Sequence, residues 1–176
     1  SVNKKYEPEE EGILALMYHR FEENKYPSTN IKMNDFMEHL KIIEKGDIEF
    51  VNPKNFENDL KNKKKERKIL LTIDDGFSSF YNNAWPILKK KKIPFILFVN
   101  TREVGSFNYM NWEQILELYK DENVEIGNHS HSHDYLVEEN PETIKKDIVK
   151  SINIFEDKLG QNSKFFSSPF GEYSLE

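Results

Sequence analysis

The chain has 176 residues, 37% hydrophobic and 32% charged, with a formal net charge of −6 and lysines mixed among the acids. That length suits one domain with a sizeable core, and the acidic balance argues against a general nucleic-acid binder, which needs a basic face. The absence of cysteine excludes disulfides, thiolate metal sites and cysteine nucleophiles but leaves the compartment open.

Residues 1–12 are polar and expected to be poorly ordered. No signal peptide is visible, but the sequence opens on Ser1 rather than Met, as a processed or engineered start would, so destination stays open. No apolar run approaches the length of a membrane span. Residues 13–18 read as a first buried strand that delivers His19 at its end. Asn34 or Asp35 is expected to cap a helix with Phe36, Met37, Leu40 and Ile43 on its apolar face, stopping at Gly46. Residues 48–51 form a short strand candidate, and Pro53 opens a helix carrying Phe56 and Leu60. The basic run 61–68 reads as a solvated loop.

Residues 69–73 are a short apolar run, too short for a core helix, and read as a buried strand. It feeds directly into Asp74-Asp75-Gly76, and a helical pattern resumes at Phe77. Taken alone, this is a turn with one aspartate capping the next helix. Pro86 interrupts or kinks that helix. Residues 93–99 are strand-like with Pro94 at the start, and Asn111-Trp112 opens a helix facing inward with Ile115, Leu116 and Tyr119. A short strand over 124–127 ends before the histidines. The clearest helix spans 142–159, with its stripe at Ile144, Ile148, Ile152, Phe155 and Leu159 and its stop at Gly160. Residues 165–166 read as a last strand, followed by the loop 167–171. Strands and helices alternate throughout, which gives an α/β fold with mainly parallel strands.

In such folds polar chemistry gathers where strands end. Three of the five histidines fall in His129-Ser130-His131-Ser132-His133. An extended segment would put all three on one face, and a helical turn would pair His129 with His133 and send His131 elsewhere. Either geometry keeps the pair together. An exposed segment is the competing reading, but beside an Asp-Asp strand end a two-histidine, one-aspartate metal site accounts better for the pattern.

These motifs resemble the polysaccharide deacetylases, also called NodB-homology domains or carbohydrate esterase family 4. Thr72-Ile73-Asp74-Asp75-Gly76 is similar to the family's first motif, and His129 to His133, led in by Glu125-Ile126-Gly127, is similar to the second. Ser168-Pro169-Phe170-Gly171 resembles the third. The resemblance covers residues 13–176, read as one deacetylase domain. It implies a distorted (β/α)7 barrel, Asp74 as general base, and Asp75, His129 and His133 as ligands to Zn²⁺ or another divalent ion such as Co²⁺ or Ni²⁺. It implies removal of N-acetyl groups from an N-acetylglucosamine polymer, with the oxyanion held near Phe170, and a periplasmic, cell-surface or other extracytoplasmic setting. Met17-Tyr18-His19 and the run Pro169 to Tyr173 look most like the branch that acts on poly-β-1,6-N-acetylglucosamine, in which His19 and Pro169 would line the substrate site.

The family's usual third-motif arginine, which orients the catalytic aspartate, falls at Ser167 here. The family pattern also continues to a histidine general acid, whereas this sequence ends at Glu176 and so looks like the front portion of a domain. O-acetyl esterase or peptidoglycan deacetylase activity, and a glycan-binding domain without turnover, are the alternatives. Trp112 reads as either a sugar platform or a core residue, Tyr109 and Tyr173 are similarly open, and His39 is expected at the surface. Asn128 and Ser130 are candidates to orient ligands through hydrogen bonds.

Overall fold

The computed structural model describes residues 12–61 and 67–171. Residues 1–11 of the polar N-terminal segment, most of the basic run 61–68, and Tyr173 lie outside the described residues, while Gly12 already belongs to the first strand.

The main sheet is parallel. Strand β1 (Gly12–Tyr18) runs along the whole of one edge of β5 (Arg67–Ile73), from the Gly12–Arg67 pair to Tyr18–Ile73. Two short partners share the other edge. Strand β4 (Glu49–Phe50) pairs with Lys68 and Ile69, and β6 (Phe95–Val99) pairs with Thr72 and Ile73. β7 (Val124–Asn128) continues beyond β6. A small separate ladder joins β2 (Arg20–Phe21) to β3 (Asn30–Ile31). The α/β class and the parallel order follow the sequence reading. Among the described residues the main sheet holds five strands, fewer than the seven of the barrel that the resemblance implies.

Alternation along the strands splits the core in two. Leu71, Ile73, Leu97, Val99 and Ile126 face the helices and pack with Phe36, Phe80, Leu88, Ile115 and Phe155. Leu70, Ile96 and Phe98 face the other side of the sheet and pack with Val51. Strand β1 departs from the buried strand expected. Only Tyr18 is fully buried in it, while Leu14 and Met17 are 64% and 57% exposed. The cause is position: among the described residues β1 has a neighbour on one edge only.

Helix α1 (Met33–Lys45) buries Phe36, Leu40 and Ile43 as its spacing predicts, but neither Asn34 nor Asp35 caps it. Its N-cap position is Lys32, whose side chain makes no cap bond. The Glu22 carboxylate, brought in by the chain after β2, accepts the Met33 N–H instead. A tertiary carboxylate thus replaces a local cap. The 3₁₀ turn Pro53–Asn55 leads into α2 (Phe56–Lys61), in which Leu60 is exposed and Phe56 meets Phe165 across 5.8 Å.

The helical segment after Asp75 is interrupted, as Pro86 foretells. A π-helical stretch, Phe80–Ala84, precedes α3 (Trp85–Lys91) and leaves proline in the first turn, where no N–H is needed. Helix α4 (Trp112–Tyr119) starts with a capping box between Asn111 and Gln114, and its inward residues are Ile115 and Leu118 rather than Leu116. Trp112 turns its ring edge toward Phe155, 6.2 Å away, and so belongs to the core. Helix α5 (Pro141–Leu159) is capped by Asn140 and ends at Gly160 in the left-handed region, φ 76°. The last expected strand reduces to a single parallel bridge between Asn128 and Phe166.

Candidate metal centre

The parallel sheet brings four strand ends to one rim in the order β1, β5, β6, β7. His19 follows β1, Asp74 and Asp75 follow β5, Asn100 follows β6, and His129 follows β7. Backbone hydrogen bonds carry the pairing past the strands, from Asp74 N–H to the Tyr18 carbonyl and from His129 N–H to the Val99 carbonyl. Residues about 55 apart in sequence thereby face one another.

Asp75 adopts a left-handed backbone, φ 72°, and Gly76 follows at φ 74°. Two such residues in succession turn the chain sharply, so that adjacent aspartates point different ways. Asp75 Oδ1 lies 3.1 Å from His133 Nε2 and 3.5 Å from His129 Nε2. Asp74 Oδ2 is 3.9 Å from the Nε2 atoms of both His19 and His129. Asp75 Oδ1 and Asp74 Oδ1 are both buried without a hydrogen-bond partner.

His129 is held in one tautomer. Its Nδ1 lies 2.8 Å from the Ser167 carbonyl oxygen, to which it donates, leaving the Nε2 lone pair aimed at Asp75. A bare lone pair and a bare carboxylate oxygen at 3.5 Å repel, and a cation between them removes the conflict. Ligand atoms of Asp75, His129 and His133 lie within 4.8 Å of one another. An oxygen and two imidazole nitrogens, converging and otherwise unsatisfied, form a set able to coordinate a divalent ion.

The histidine loop is neither extended nor helical. Ser130 and His133 both take left-handed backbones, and the His129 and His133 rings meet at 4.8 Å. His131 turns away and places Nδ1 2.9 Å from Thr101 Oγ1, outside the cluster. The Asn128 side chain donates to Ser151 Oγ and accepts the Ser130 N–H, and Ser130 Oγ accepts the His133 N–H. Asn128 and Ser130 therefore orient the loop, as their position suggests.

Electrostatics separate the two aspartates. Burial, and then the neighbouring Asp75 charge, push Asp74 up to about 7. Burial also works to raise Asp75, but the contact and charge of His133, with His129 and His19, outweigh it and the net displacement is downward. Desolvation lowers His129 and His19 against the pull of Asp75, favouring neutral imidazoles. Burial opposes protonation of His133 too, yet its contact with Asp75 prevails and raises it.

Residues 61–176 match the family described as polysaccharide deacetylase. The chain belongs to that family. It is 30% identical to the poly-β-1,6-N-acetyl-D-glucosamine N-deacetylase of Staphylococcus aureus strain MRSA252, over 92% of this chain and 64% of that protein. Among solved structures, IcaB from Ammonifex degensii superposes with a TM-score of 0.83 at 28% identity, covering 93% of this chain and 76% of the other. The Streptococcus pyogenes deacetylase PplD, solved with acetate, gives 0.79 at 25% identity with the same coverage. The chain spans about three-fifths of the length of the curated relatives it matches, 58% and 64% in two of them.

In this member of the family the segment Ser167 to Gly171 meets the histidine loop first through its backbone. Ser167 supplies the carbonyl that fixes His129, and its own N–H bonds the Asn128 carbonyl. Pro169 is buried in the 3₁₀ turn Pro169–Gly171. Phe170, at φ 60°, sets its ring 4.9 Å from His133 and stacks on Tyr135 at 3.7 Å. His39 is exposed as expected, and its Nδ1 lies 2.7 Å from the Tyr18 hydroxyl.

Two residues escaped the sequence reading. Asn100 is 2% exposed with Oδ1 unpartnered, at the end of the strand between β5 and β7. Its place just after β6 was the signal available. Asp147, on α5, accepts the N–H groups of His131 at 2.8 Å and Ser132 at 3.0 Å. A helix stripe cannot disclose which loop its polar face will clamp, so nothing in the sequence marked Asp147.

Proposed function

We propose that the protein is a metal-dependent hydrolase that removes N-acetyl groups from an N-acetylglucosamine-containing polysaccharide, with poly-β-1,6-N-acetylglucosamine as the first polymer to test. One observation carries the reading. Asp75, His129 and His133 converge, and a second carboxylate, Asp74, stands beside them without joining the cluster.

A divalent cation bound by Asp75, His129 and His133 would polarise the acetamide carbonyl and lower the pKa of a water. Zn²⁺ suits a two-imidazole, one-carboxylate set, and Co²⁺ or Ni²⁺ are the other candidates. The remaining work belongs to the chain. Asp74 takes a proton from the attacking water at its carboxylate. Its high pKa in the metal-free protein marks a group whose charge the fold alone leaves uncompensated. His19, 3.9 Å from Asp74, lines the site on the β1 side. Phe170, whose ring centre lies 4.9 Å from that of His133, and the adjoining Pro169 are assigned to the substrate side of the site, with the oxyanion contact made by a backbone N–H near Phe170. A polymer of this kind is met outside the cytoplasm, where we propose that the protein acts.

The test separates the two aspartates. Asp75→Ala should lose both bound metal and acetate release. Asp74→Asn should keep metal, measured by elemental analysis, and lose roughly 10²–10⁴-fold in turnover, the range for a general base. Normal turnover in Asp74→Asn would refute the assignment. A panel of N-acetylated, O-acetylated and peptidoglycan substrates identifies the bond cleaved.

A further inference from the structure

Strand β6 lies between the two strands whose ends carry the ligand cluster, yet supplies no ligand itself. What it brings to the rim is Asn100, the residue just after Val99. That side chain is 2% exposed, and its Oδ1 is buried without a hydrogen-bond partner among the described residues. A bare buried amide oxygen costs stability, so a donor that is not part of the chain is the natural complement.

The backbone leaves this side chain little choice of direction. The Val99 carbonyl accepts the His129 N–H, and the Thr101 N–H bonds the Ser130 carbonyl, so the chain stays paired on both sides of Asn100. Along β6, Leu97 and Val99 face the helices, while Ile96 and Phe98 face the other side of the sheet. Asn100 continues the second set. Along β5, Ile73 faces the helices and Leu70 the other side, which places Asp74 on the same side as Asn100. The His129 ring, 6.3 Å from that of Phe98, lies there too.

Register sets the spacing. Ile73 pairs with Leu97, and Val99 with Asn128. Asn100 is therefore level with His129, and it stands one strand away from Asp74 and two residues further along. At ordinary strand dimensions this is about 4.8 Å sideways and about 6.6 Å along, or roughly 8 Å between Cα atoms. Two short side chains that leave the sheet on one side across such a gap do not bond each other, but one water can reach both. Asp74 Oδ1 is likewise buried and bare. Both oxygens are acceptors that lack a hydrogen, and a water has two to give.

Resting on the deacetylase reading above, we propose that Asn100 is the second acceptor for the attacking water, which donates one hydrogen to Asp74 Oδ1 and the other to Asn100 Oδ1. With both hydrogens engaged, the water presents a lone pair toward the arriving acetamide carbon, and its orientation is fixed before reaction. As the new C–O bond forms, the O–H bond facing Asp74 breaks and its proton passes to that carboxylate. The carbonyl electron pair moves onto the carbonyl oxygen. The second hydrogen stays on the new hydroxyl, held by Asn100. The carbonyl then re-forms, the C–N bond breaks, and the amine leaves with the proton that Asp74 took.

A crystal structure of the metal-free protein should show an ordered water within hydrogen-bond distance of both Asp74 Oδ1 and Asn100 Oδ1. A water on one oxygen only, or none, overturns the proposal. Asn100→Leu keeps the branched shape and removes the acceptor. It should lower kcat roughly 10–100-fold, as the loss of one hydrogen bond at a buried polar group implies, with KM and metal affinity in a chelator competition unchanged. Asn100→Ser, whose hydroxyl still accepts, should recover part of the loss. An unchanged kcat, or a loss that comes through KM or metal affinity, also overturns the proposal. Should Asn100→Leu fail to fold, the water in the unsubstituted protein and the kcat of Asn100→Ser decide. Acetate release by the unsubstituted protein is measured separately. The shared water without any release sinks the chemistry and leaves the water site, whereas release without the shared water sinks the role of Asn100 alone.

Discussion

Asp74 and Asp75 are joined by one peptide bond and titrate in opposite directions. The folded pKa of Asp74, about 7, lies above its ordinary 3.8 because burial and the Asp75 charge disfavour ionisation. Between those values the folded state holds a proton that the unfolded chain has released. Stability from this group is therefore complete below pH about 4 and is lost as pH rises through about 7. The displacement is worth roughly 4 kcal/mol at most. Asp74→Asn, which has no charge to bury, should melt several degrees above the parent at pH 8 in chelator-treated protein, and close to it at pH 4.5. Divalent metal should shrink the gap at pH 8, since a nearby cation favours the ionised carboxylate. A gap that ignores both pH and metal would show that Asp74 is not strained by its charge.

At the scale of elements, two contacts hold β7 and its loop in place. Gly127 is required by close approach. A Cβ there would lie 2.3 Å from Phe98 Cδ1 and 2.4 Å from Cε1, on the side of the sheet that carries the smaller cluster. Gly127→Ala should cost about 1–3 kcal/mol through overpacking, read in urea unfolding, and should weaken metal binding because His129 follows two residues later. The other contact is Asp147 on α5. Asp147→Ala leaves the His131 and Ser132 N–H groups without their acceptor, at a cost of roughly 1–3 kcal/mol. Because that loop also carries His133, metal affinity in a chelator competition should fall about 10–100-fold. Asp147→Asn, which keeps one acceptor oxygen, should recover part of the loss.

For the whole molecule, the cluster ties the end of β5 to β7 and the loop beyond it across intervening β6. A metal bound there stabilises the fold through mass action. At a hundred times the dissociation constant the gain is about 2.7 kcal/mol, which for a domain of this size raises the melting temperature by roughly 5–10 °C. The gain should appear in scanning calorimetry at pH 7.5 and fade as the solution is made acidic, His133 protonating first because its contact with Asp75 raises its pKa, whereas burial lowers that of His129. Asp75→Ala should abolish it, and His131→Ala should leave it intact, since His131 bonds Thr101 instead.

The local sequence determined the alternating elements, the strand ending at Asp74-Asp75 and the stop at Gly160. Each follows from interactions within a few residues: side-chain periodicity, the brevity of an apolar run, or the freedom of glycine. Tertiary structure decided what depends on segments far apart. It left the flanks of β1 exposed and capped α1 with Glu22. Ser167 became useful through its carbonyl rather than its side chain. The same long-range packing put Asn100 between the ligand-bearing strands and brought Asp147 under the histidine loop. Such contacts need a sheet that fixes strand order before they exist, and no residue pattern of period two or 3.6 encodes which distant backbone will arrive there.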